Sequence, residues 1–267
     1  MKTKKELLIK AVLLIIMFVG CHNDKFDPEK VNPENKAEAE ISAFDQDINK
    51  SWDYPVKIGT ESWNQLKTEE ERIAALQIPD DILAKLTSEE IVELCVSFPL
   101  FGYYTAYNTP QIGFVIMQSR FNIFEHLMNR SDVGQNLINA YKDADMKGFR
   151  TLPYSNEFWT IKLDYLELVL SQESVLQNLT PDETLELMQE ARKKFSEKIV
   201  DPAFSSLYGI LFPVRMMANI LDIEGLMDTN VRTSNQALQA GYLDDVSFVD
   251  EIINLTDGYI NNKMQIQ

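Results

Sequence analysis

Four side chains could most readily bind a metal or act as a nucleophile: His22, His126, Cys21 and Cys95. A zinc site needs three or four such ligands at fixed spacing, and the sequence has neither an HExxH motif nor paired CxxC motifs. A Ser-His-Asp hydrolase would need His126 beside a serine on a sharp turn, but no GxSxG motif is present. We therefore predict no metal site, and we interpret His126 as a partly exposed helix residue.

Cys95 lies on an apolar helical stripe together with Ile91, Leu94 and Phe98. A free cysteine at such a position usually behaves as a small buried hydrophobic residue, whereas a nucleophilic cysteine needs an activating base nearby. We therefore predict that Cys95 is a core residue. If Cys21 is modified as described below, Cys95 has no partner for a disulfide within the chain.

Phosphate-binding loops and pairs of catalytic carboxylates are the remaining candidates for chemistry. The chain has 10 glycines and contains neither GxGxxG nor GxxxxGK[ST], so we predict no cofactor. Its 41 acidic residues leave a glycosidase-type carboxylate pair open. However, the acidic residues of one clear amphipathic helix fall largely away from its apolar stripe, where solvated charges belong: Asp182, Glu183, Glu186 and Glu190. No catalytic residue is predicted.

An aromatic run occupies residues 100–108, with the sequence LFGYYTAYN between two prolines. Aromatic rings on loops can anchor a partner, because they bury a large area at low entropic cost. They can equally pin a loop onto the core while their hydroxyl groups reach water. We consider Tyr103, Tyr104 and Tyr107 a possible binding surface, with core packing as the alternative.

The N-terminus combines basic and apolar segments. Residues 1–10 carry four lysines and one glutamate, and residues 11–19 are apolar without interruption. This order is typical of an export signal, and the run is too short to span a membrane. It ends in Phe18, Val19, Gly20 and Cys21, a sequence that resembles the lipobox of bacterial lipoprotein precursors. That resemblance implies cleavage before Cys21, lipidation of the Cys21 sulfur and acylation of the new N-terminus.

Lipidation would anchor the mature protein to a membrane of the bacterial cell envelope without spanning it, and we expect the outer membrane or the cell surface. Residues 1–20 are the predicted signal peptide, and residues 21–37, rich in Asp, Asn, Glu, Lys and Pro, are a predicted flexible acidic tether. The best later candidate for a membrane span, residues 204–221, is interrupted by polar residues and is interpreted as core.

The net charge excludes one class of partner. The whole chain carries −16, and removing residues 1–20 takes away four lysines and one glutamate, which leaves −19. A surface of this charge repels the phosphates of nucleic acids, so we predict no nucleic-acid binding. Hydrophobic residues make up 45% of the chain, which is sufficient for a large core.

Helix signals dominate residues 38–267. Capping boxes are predicted at three threonines, each followed three residues later by glutamate: Thr68, Thr87 and Thr180. Apolar residues at steps of three and four predict one long helix through Phe114, Met117, Phe121, Phe124 and Met128. A second such stripe predicts a helix with an apolar face outlined by Leu185, Met188, Phe195 and Ile199 and with Lys193, Lys194 and Glu197 facing outward.

Residues 158–170 are apolar nearly all round, which is typical of a helix buried between others. No stretch shows sustained alternation of apolar and polar residues, so no sheet is predicted. The predicted fold is all-α: a multi-helix globular or solenoid-like bundle, with possible halves at 38–150 and 153–267.

Residues 81–95 and 174–188 resemble each other, with DILAKLTSEEIVELC echoed by SVLQNLTPDETLELM. A duplicated helix-turn-helix unit would explain the echo, and so would the similar requirements of any two capped amphipathic helices. Both interpretations stay open.

Residues 66–141 also resemble an uncharacterised helical module of secreted bacterial proteins. The resemblance depends on Ile78-Pro79, the helix capped by Thr87, the segment FPLFG at 98–102, and the helix containing Phe114. It implies a helical body and brings no known activity. From the sequence we expect a lipid-anchored binding module for a protein or glycan. A carboxylate-dependent hydrolase of glycan or peptidoglycan and an accessory glycan-capture lipoprotein are the alternatives.

Overall fold

The computed structural model describes residues 52–144, 156–204, 207–239 and 247–266. These residues form α-helices and two short 3-10 helices and contain no β-strand, which confirms the predicted all-α fold. The predicted signal peptide, the tether and Cys21 lie outside the described residues. Within the described ranges, no helix is both long enough and apolar enough to cross a membrane.

Seven of the described α-helices precede residue 144. They are α1 (Glu61–Gln65), α2 (Glu69–Ala75), α3 (Asp80–Leu83), α4 (Ser88–Val96), α5 (Pro110–Arg120), α6 (Asn122–Met128) and α7 (Gly134–Asp143). The later helices are α8 (Asn156–Leu170), α9 (Glu173–Leu176), α10 (Pro181–Lys198), α11 (Leu207–Ile223), α12 (Thr229–Gln239) and α13 (Ser247–Ile266). The 3-10 helices are Phe101–Ala106, between α4 and α5, and Pro202–Phe204, between α10 and α11.

All three predicted capping boxes are present, at the starts of α2, α4 and α10. In each box the threonine hydroxyl accepts a hydrogen bond from the backbone amide of the glutamate three residues later, and that glutamate accepts one from the threonine amide. Backbone donors that the helix itself leaves unpaired are satisfied in this way, and each such cap typically stabilises a protein by about 1 kcal/mol.

The core is organised around α8, where every side chain of residues 163–170 is buried, as the sequence predicted. α8 packs against α5, α7, α9, α11 and both 3-10 helices. α11 packs in turn against α10, α12 and α13. Most of the described side chains of α11 are buried, in agreement with the interpretation of residues 204–221 as core.

The predicted single helix through the Phe114 stripe is wrong, because the chain leaves the helical conformation at Phe121. α5 ends at Arg120, α6 begins at Asn122, and Phe121 between them has extended backbone angles (φ −124°, ψ 116°). Phe121 is nevertheless fully buried, with its ring 4.9 Å from that of Phe98. The stripe of apolar residues is therefore a correct indicator of the core and a misleading indicator of helix continuity.

Two carboxamide side chains from distant parts of the chain hold this break. Asn122 accepts a hydrogen bond from the Ile78 amide (3.1 Å) and donates one to the Ile78 carbonyl (2.7 Å). Gln77 donates to the Arg120 carbonyl (2.7 Å) and accepts from the Asn122 amide (3.2 Å). These bonds replace helical hydrogen bonds that the break removes, and they join the α2–α3 connection to the α5–α6 corner.

The two echoed segments have similar local structures. Each forms a short helix followed by a capped helix, α3 then α4 in the first and α9 then α10 in the second. Leu83 and Leu176 occupy matching positions in the short helices, and both are buried. Either origin of the echo accounts for this likeness, so duplication stays a prediction.

Candidate functional site

The aromatic run forms the 3-10 helix Phe101–Ala106, and Tyr104 at its centre is buried. The Tyr104 hydroxyl donates to the Ile161 carbonyl (3.2 Å), and its ring lies edge-on to Phe212 at 6.0 Å. The contact with α5 is close, since a Cβ added at Gly113 would lie 2.3 Å from the Tyr104 carbonyl oxygen. Of the two alternatives for the aromatic run, core packing applies to Tyr104, whose ring fills the core.

Tyr103 and Tyr107 are half-buried, and their rings lie 5.5 Å apart. The Tyr103 hydroxyl donates to the carboxylate of Glu69 and accepts from the Arg120 guanidinium (2.6 Å). Burial, and then the bond to Glu69, raise the pKa of Tyr103 well above its usual value. Tyr103 thus pins its 3-10 helix to α2 and α5. A binding role for the exposed parts of Tyr103 and Tyr107 stays a prediction.

The structure contains a buried ionic cluster that the sequence did not predict, formed by Tyr141, Asp164, Glu167 and Lys198. The Lys198 ammonium group is fully buried and lies 2.7 Å from Asp164 Oδ1 and 2.5 Å from Glu167 Oε2. Its third donor reaches the Gly209 carbonyl at 3.0 Å. The Tyr141 hydroxyl donates to Glu167 Oε1 at 2.7 Å. Every donor of the ammonium group is therefore used, as burial of a charge requires.

Two charged residues of α10 beside this cluster are buried, although the sequence predicted that they face outward. Lys194 and Glu190 are both buried, although Lys193 is exposed as expected. The Lys194 ammonium group donates to the Ala144 carbonyl (2.7 Å) and lies 5.0 Å from the centre of the Tyr141 ring. The physical reason is that α10 packs against α7, α11 and α13, so more than one of its faces meets another helix.

Burial dominates the electrostatics of the cluster. It raises the pKa of Glu167 to about 7, against the opposing attraction of Lys198, and it raises the pKa of Asp164 in the same direction. Burial alone would lower the pKa of Lys198, but Asp164 and Glu167 together raise it above its usual value. Glu167 is fully buried and Asp164 is 8% exposed, so a glycosidic bond has no access to either carboxyl group. Glu167 therefore has the raised pKa of a catalytic acid, but no substrate can reach its carboxyl group.

A polar cleft of about 400 Å³ opens between α5, the α8–α9 connection and α11, and we call it the amide cleft. Four carboxamide side chains line it: Gln111, Gln118, Gln172 and Asn219. Its volume lies in the range typical of ligand-binding sites.

Hydrogen bonds fix two sides of the amide cleft to the C-terminal end of α8. Gln111 donates to the side chain of Gln172 (3.0 Å), which donates to the Leu168 carbonyl (2.6 Å). Asn219 donates to the Ser171 carbonyl (2.9 Å). Helices end with unpaired carbonyl groups, and here Gln172 of the α8–α9 connection and Asn219 of α11 satisfy the carbonyls of Leu168 and Ser171. The wall of the cleft is therefore held in a defined geometry by contacts within the protein.

Gln118 differs from the other carboxamides, because its side chain forms no hydrogen bond with any residue that the structure describes. It is half-buried on α5, one helical turn after Val115. Its amide donors and carbonyl acceptor are therefore available to a ligand.

Exposed aliphatic side chains border the amide cleft. Val115 on α5 is 52% exposed, and Ile223 at the end of α11 is 43% exposed. Ile112, one turn before Val115 on the same face of α5, is also exposed. Exposed aliphatic side chains beside a polar concavity offer apolar contact area to a ligand that enters it.

The charged residues of the amide cleft are both acidic. Glu173 is exposed and accepts a hydrogen bond from Gln177 (2.6 Å), and Asp222 forms an ion pair with Arg232 (2.6 Å). The described lining contains no lysine, no arginine and no aromatic ring. The cleft can thus donate and accept hydrogen bonds and attract positive charge, and it presents no group that would attract an anion.

Sequence reasoning did not find the amide cleft, because its walls come from distant segments; Gln111 and Gln172 are 61 positions apart. One local indication exists: the outward face of α5 carries Gln111, Val115 and Gln118 at helical spacing, a mixture of amide and aliphatic groups where charged residues would be usual.

The two side chains of other chemical interest, Cys95 and His126, lie in helices α4 and α6. Cys95 is a free thiol in the core, burial raises its pKa well above the usual value, and the core prediction is confirmed. His126 is half-buried on α6, as predicted. No group of three or more His, Cys, Asp or Glu side chains in the described ranges is arranged to hold a metal ion. Comparisons with protein-family models, with curated proteins and with solved structures find no match to this chain.

Proposed function

We propose that this protein is a lipid-anchored binding module of the bacterial cell envelope and that it binds its partner through the amide cleft. The observation that supports this role most directly is the cleft itself, a concavity lined by four carboxamides beside the exposed aliphatic residues Val115 and Ile223. Carboxamides recognise a ligand by paired donor and acceptor contacts and carry out no proton transfer.

A hydrolase is the weaker candidate for this cleft. Acid catalysis on a glycan needs one carboxyl group held protonated in a shielded site and a second on the other side of the scissile bond. In the amide cleft Glu173 is exposed to water, and Asp222 is paired with the guanidinium group of Arg232. The shielded acids, Asp164 and Glu167, belong to the buried ionic cluster. Recognition therefore fits the cleft better than catalysis.

The proposed anchor follows from the lipobox-like sequence that ends at Cys21. Several acyl chains together hold a protein firmly at a membrane, since each buried methylene contributes about 0.8 kcal/mol. The sixteen residues 22–37 then allow the helical body to lie up to roughly 50–55 Å from the bilayer, at about 3.3–3.6 Å per residue. A tethered receptor of this kind can search a wide volume for its partner.

The anchor is tested by labelling cells with a radioactive or clickable fatty acid. We expect wild type and Cys95→Ala to incorporate the label and Cys21→Ala to lose it, because Cys95 is buried and Cys21 is the proposed acceptor. Label that still enters Cys21→Ala would contradict the lipoprotein assignment.

The binding role is tested by co-purification from solubilised envelopes with the pair of changes Val115→Lys and Ile223→Lys. Both positions are exposed, so we expect an unchanged melting temperature together with loss of the captured partner. Val200→Lys is the matched control, because Val200 is 69% exposed and lies outside the cleft. Equal capture by the double variant and wild type would remove the cleft from the proposed function.

A further inference from the structure

We infer that the amide cleft binds an extended peptide segment of neutral or positive charge. This ligand class presupposes the binding role proposed above and narrows it to one kind of partner. Three features of the cleft lead to it: its carboxamides, its aliphatic border and its charge.

The carboxamides match the hydrogen-bonding groups of a peptide backbone. A carboxamide places two donors and one acceptor on a single planar group, and a peptide unit presents one acceptor and one donor in a similar plane. Among the described residues Gln118 has no partner for these groups, and Gln111 uses one of its two donors in its bond to Gln172. An extended chain exposes N–H and C=O groups along both edges, so several carboxamides around one cleft can engage it.

The aliphatic border suits the side chains of such a peptide. Val115 and Ile223 come from two different helices and are both exposed at the cleft. Side chains of an extended segment alternate between two directions, so those that point toward the protein can pack on these aliphatic groups. A sugar would be expected to pack the C–H face of its ring on an aromatic side chain, and no aromatic residue is among the described lining. The border therefore favours a peptide over a glycan.

The charge of the cleft selects among peptides. Glu173 and Asp222 line it, and Asp222 is already paired with Arg232, so Glu173 is the acid of the described lining whose charge no cation of the lining offsets. The whole chain carries −16. Acidic segments are repelled both at long range and in the cleft, whereas lysine and arginine are attracted. Electrostatic complementarity of this kind acts on association rates and on selectivity, and it weakens as salt is added.

The experiment uses the lipidated mature protein in nanodiscs, with a phage-displayed library of random decapeptides as the probe and an array of neutral oligosaccharides in parallel. We expect enrichment of peptides that are rich in neutral and basic residues and poor in Asp and Glu, and no binding to the array. An enriched peptide is then synthesised and its affinity is measured by fluorescence anisotropy.

Two variants locate the bound peptide. Gln118→Leu removes the free carboxamide at similar volume, and we expect it to weaken binding about five- to tenfold, the value of one lost hydrogen bond. Glu173→Lys reverses a charge at the cleft, and we expect it to weaken binding of a lysine-containing peptide by about three- to tenfold. Glu89→Lys is the matched control, since Glu89 is likewise an exposed acid in the first turn of a helix. The affinity of this variant for the peptide should stay within about twofold of wild type.

Each outcome decides the inference. Peptide binding that is weakened by Gln118→Leu and Glu173→Lys and kept by Glu89→Lys supports it. The inference is overturned if acidic peptides are selected or if no peptide is enriched. It is also overturned if Gln118→Leu and Glu173→Lys both leave the peptide affinity unchanged. Binding to the oligosaccharide array that Gln118→Leu weakens also overturns the peptide assignment, but it leaves the proposed binding role intact. If the double change at Val115 and Ile223 also fails to affect partner capture, the binding role of the cleft fails as well.

Discussion

At the scale of single residues, the buried ionic cluster is the feature with the largest consequences for stability. Lys198 forms ion pairs with both Asp164 and Glu167 in an interior where an unpaired charge is very costly. The sequence contained a partial indication, because α8 carries two acids three residues apart in an otherwise apolar stretch, and α10 carries Lys194 and Lys198 four residues apart. Which lysine meets which acid depends on how α8 and α10 pack, and no pattern within one helix contains that information.

Removal of the central cation should destabilise the protein strongly. Lys198→Met leaves two buried carboxyl groups without their partner, and breaking a buried ion pair in this way typically costs about 3–5 kcal/mol. In a chain of this size the melting temperature should fall by roughly 6–20 °C. Lys193→Met on the same helix is the control, because Lys193 is exposed and its change should have a small effect. A melting curve of Lys198→Met that overlays the wild-type curve would contradict the role of the cluster.

The pH dependence of stability should reflect Glu167. Burial raises the pKa of this carboxyl group from 4.5 to about 7, so between these values the folded protein holds a proton that the unfolded chain has lost. The stabilisation from this group is complete below about pH 4.5 and disappears as the pH rises through 7, which means that stability declines across this window. Glu167→Gln removes the titration, and we expect its free energy of unfolding in urea to change less between pH 5 and pH 8 than that of wild type.

Glu186→Gln is the control for this pH measurement. The hydrogen bond from Lys142, followed by that from Gln135, lowers the pKa of Glu186, so this group changes its charge below the window that is measured. Its variant should keep the wild-type slope between pH 5 and pH 8. An unchanged slope in Glu167→Gln would show that another group is responsible for the pH dependence.

At the scale of secondary-structure elements, a feature can be predicted from the sequence when the residues that determine it lie close together in the chain. The capping boxes at Thr68, Thr87 and Thr180 are local, since four consecutive residues contain all of their hydrogen-bonding groups, and each was predicted correctly. The break between α5 and α6 is determined by partners more than 40 positions away, at Gln77 and Ile78. The apolar periodicity continues across it, so the sequence predicted one helix.

The corner between α5 and α6 should therefore depend on the Asn122 side chain. Asn122→Ala removes hydrogen bonds to both the amide and the carbonyl of Ile78, and we expect a loss of about 2 kcal/mol in the free energy of unfolding. Asn129→Ala is the control, because Asn129 is an exposed residue just after α6. Chemical denaturation of both variants gives the comparison, and equal stability would mean that the packing of Phe121 alone sets the break.

At the scale of the whole molecule, composition and periodicity were sufficient to predict an all-α fold with a large core, and they were insufficient to predict its binding surface. No helical stripe included the aromatic run, so the sequence left a surface role and core packing both open. The close approach of α5 at Gly113 places Tyr104 in the core. The amide cleft is assembled from three separate elements, and its residues have ordinary polar types. Only the tertiary arrangement distinguishes Gln118 from any other surface glutamine.

The claim that the anchored protein recognises its partner at the amide cleft is tested most directly by photo-crosslinking in living cells. A photoreactive amino acid is incorporated at Gln118, inside the cleft, or at Lys85, an exposed residue of the α3–α4 connection outside it. The account predicts a discrete crosslinked product from position 118 that is lost when Val115 and Ile223 are both changed to lysine, and no such product from position 85. Crosslinks of equal yield at both positions, or none at position 118, would contradict it.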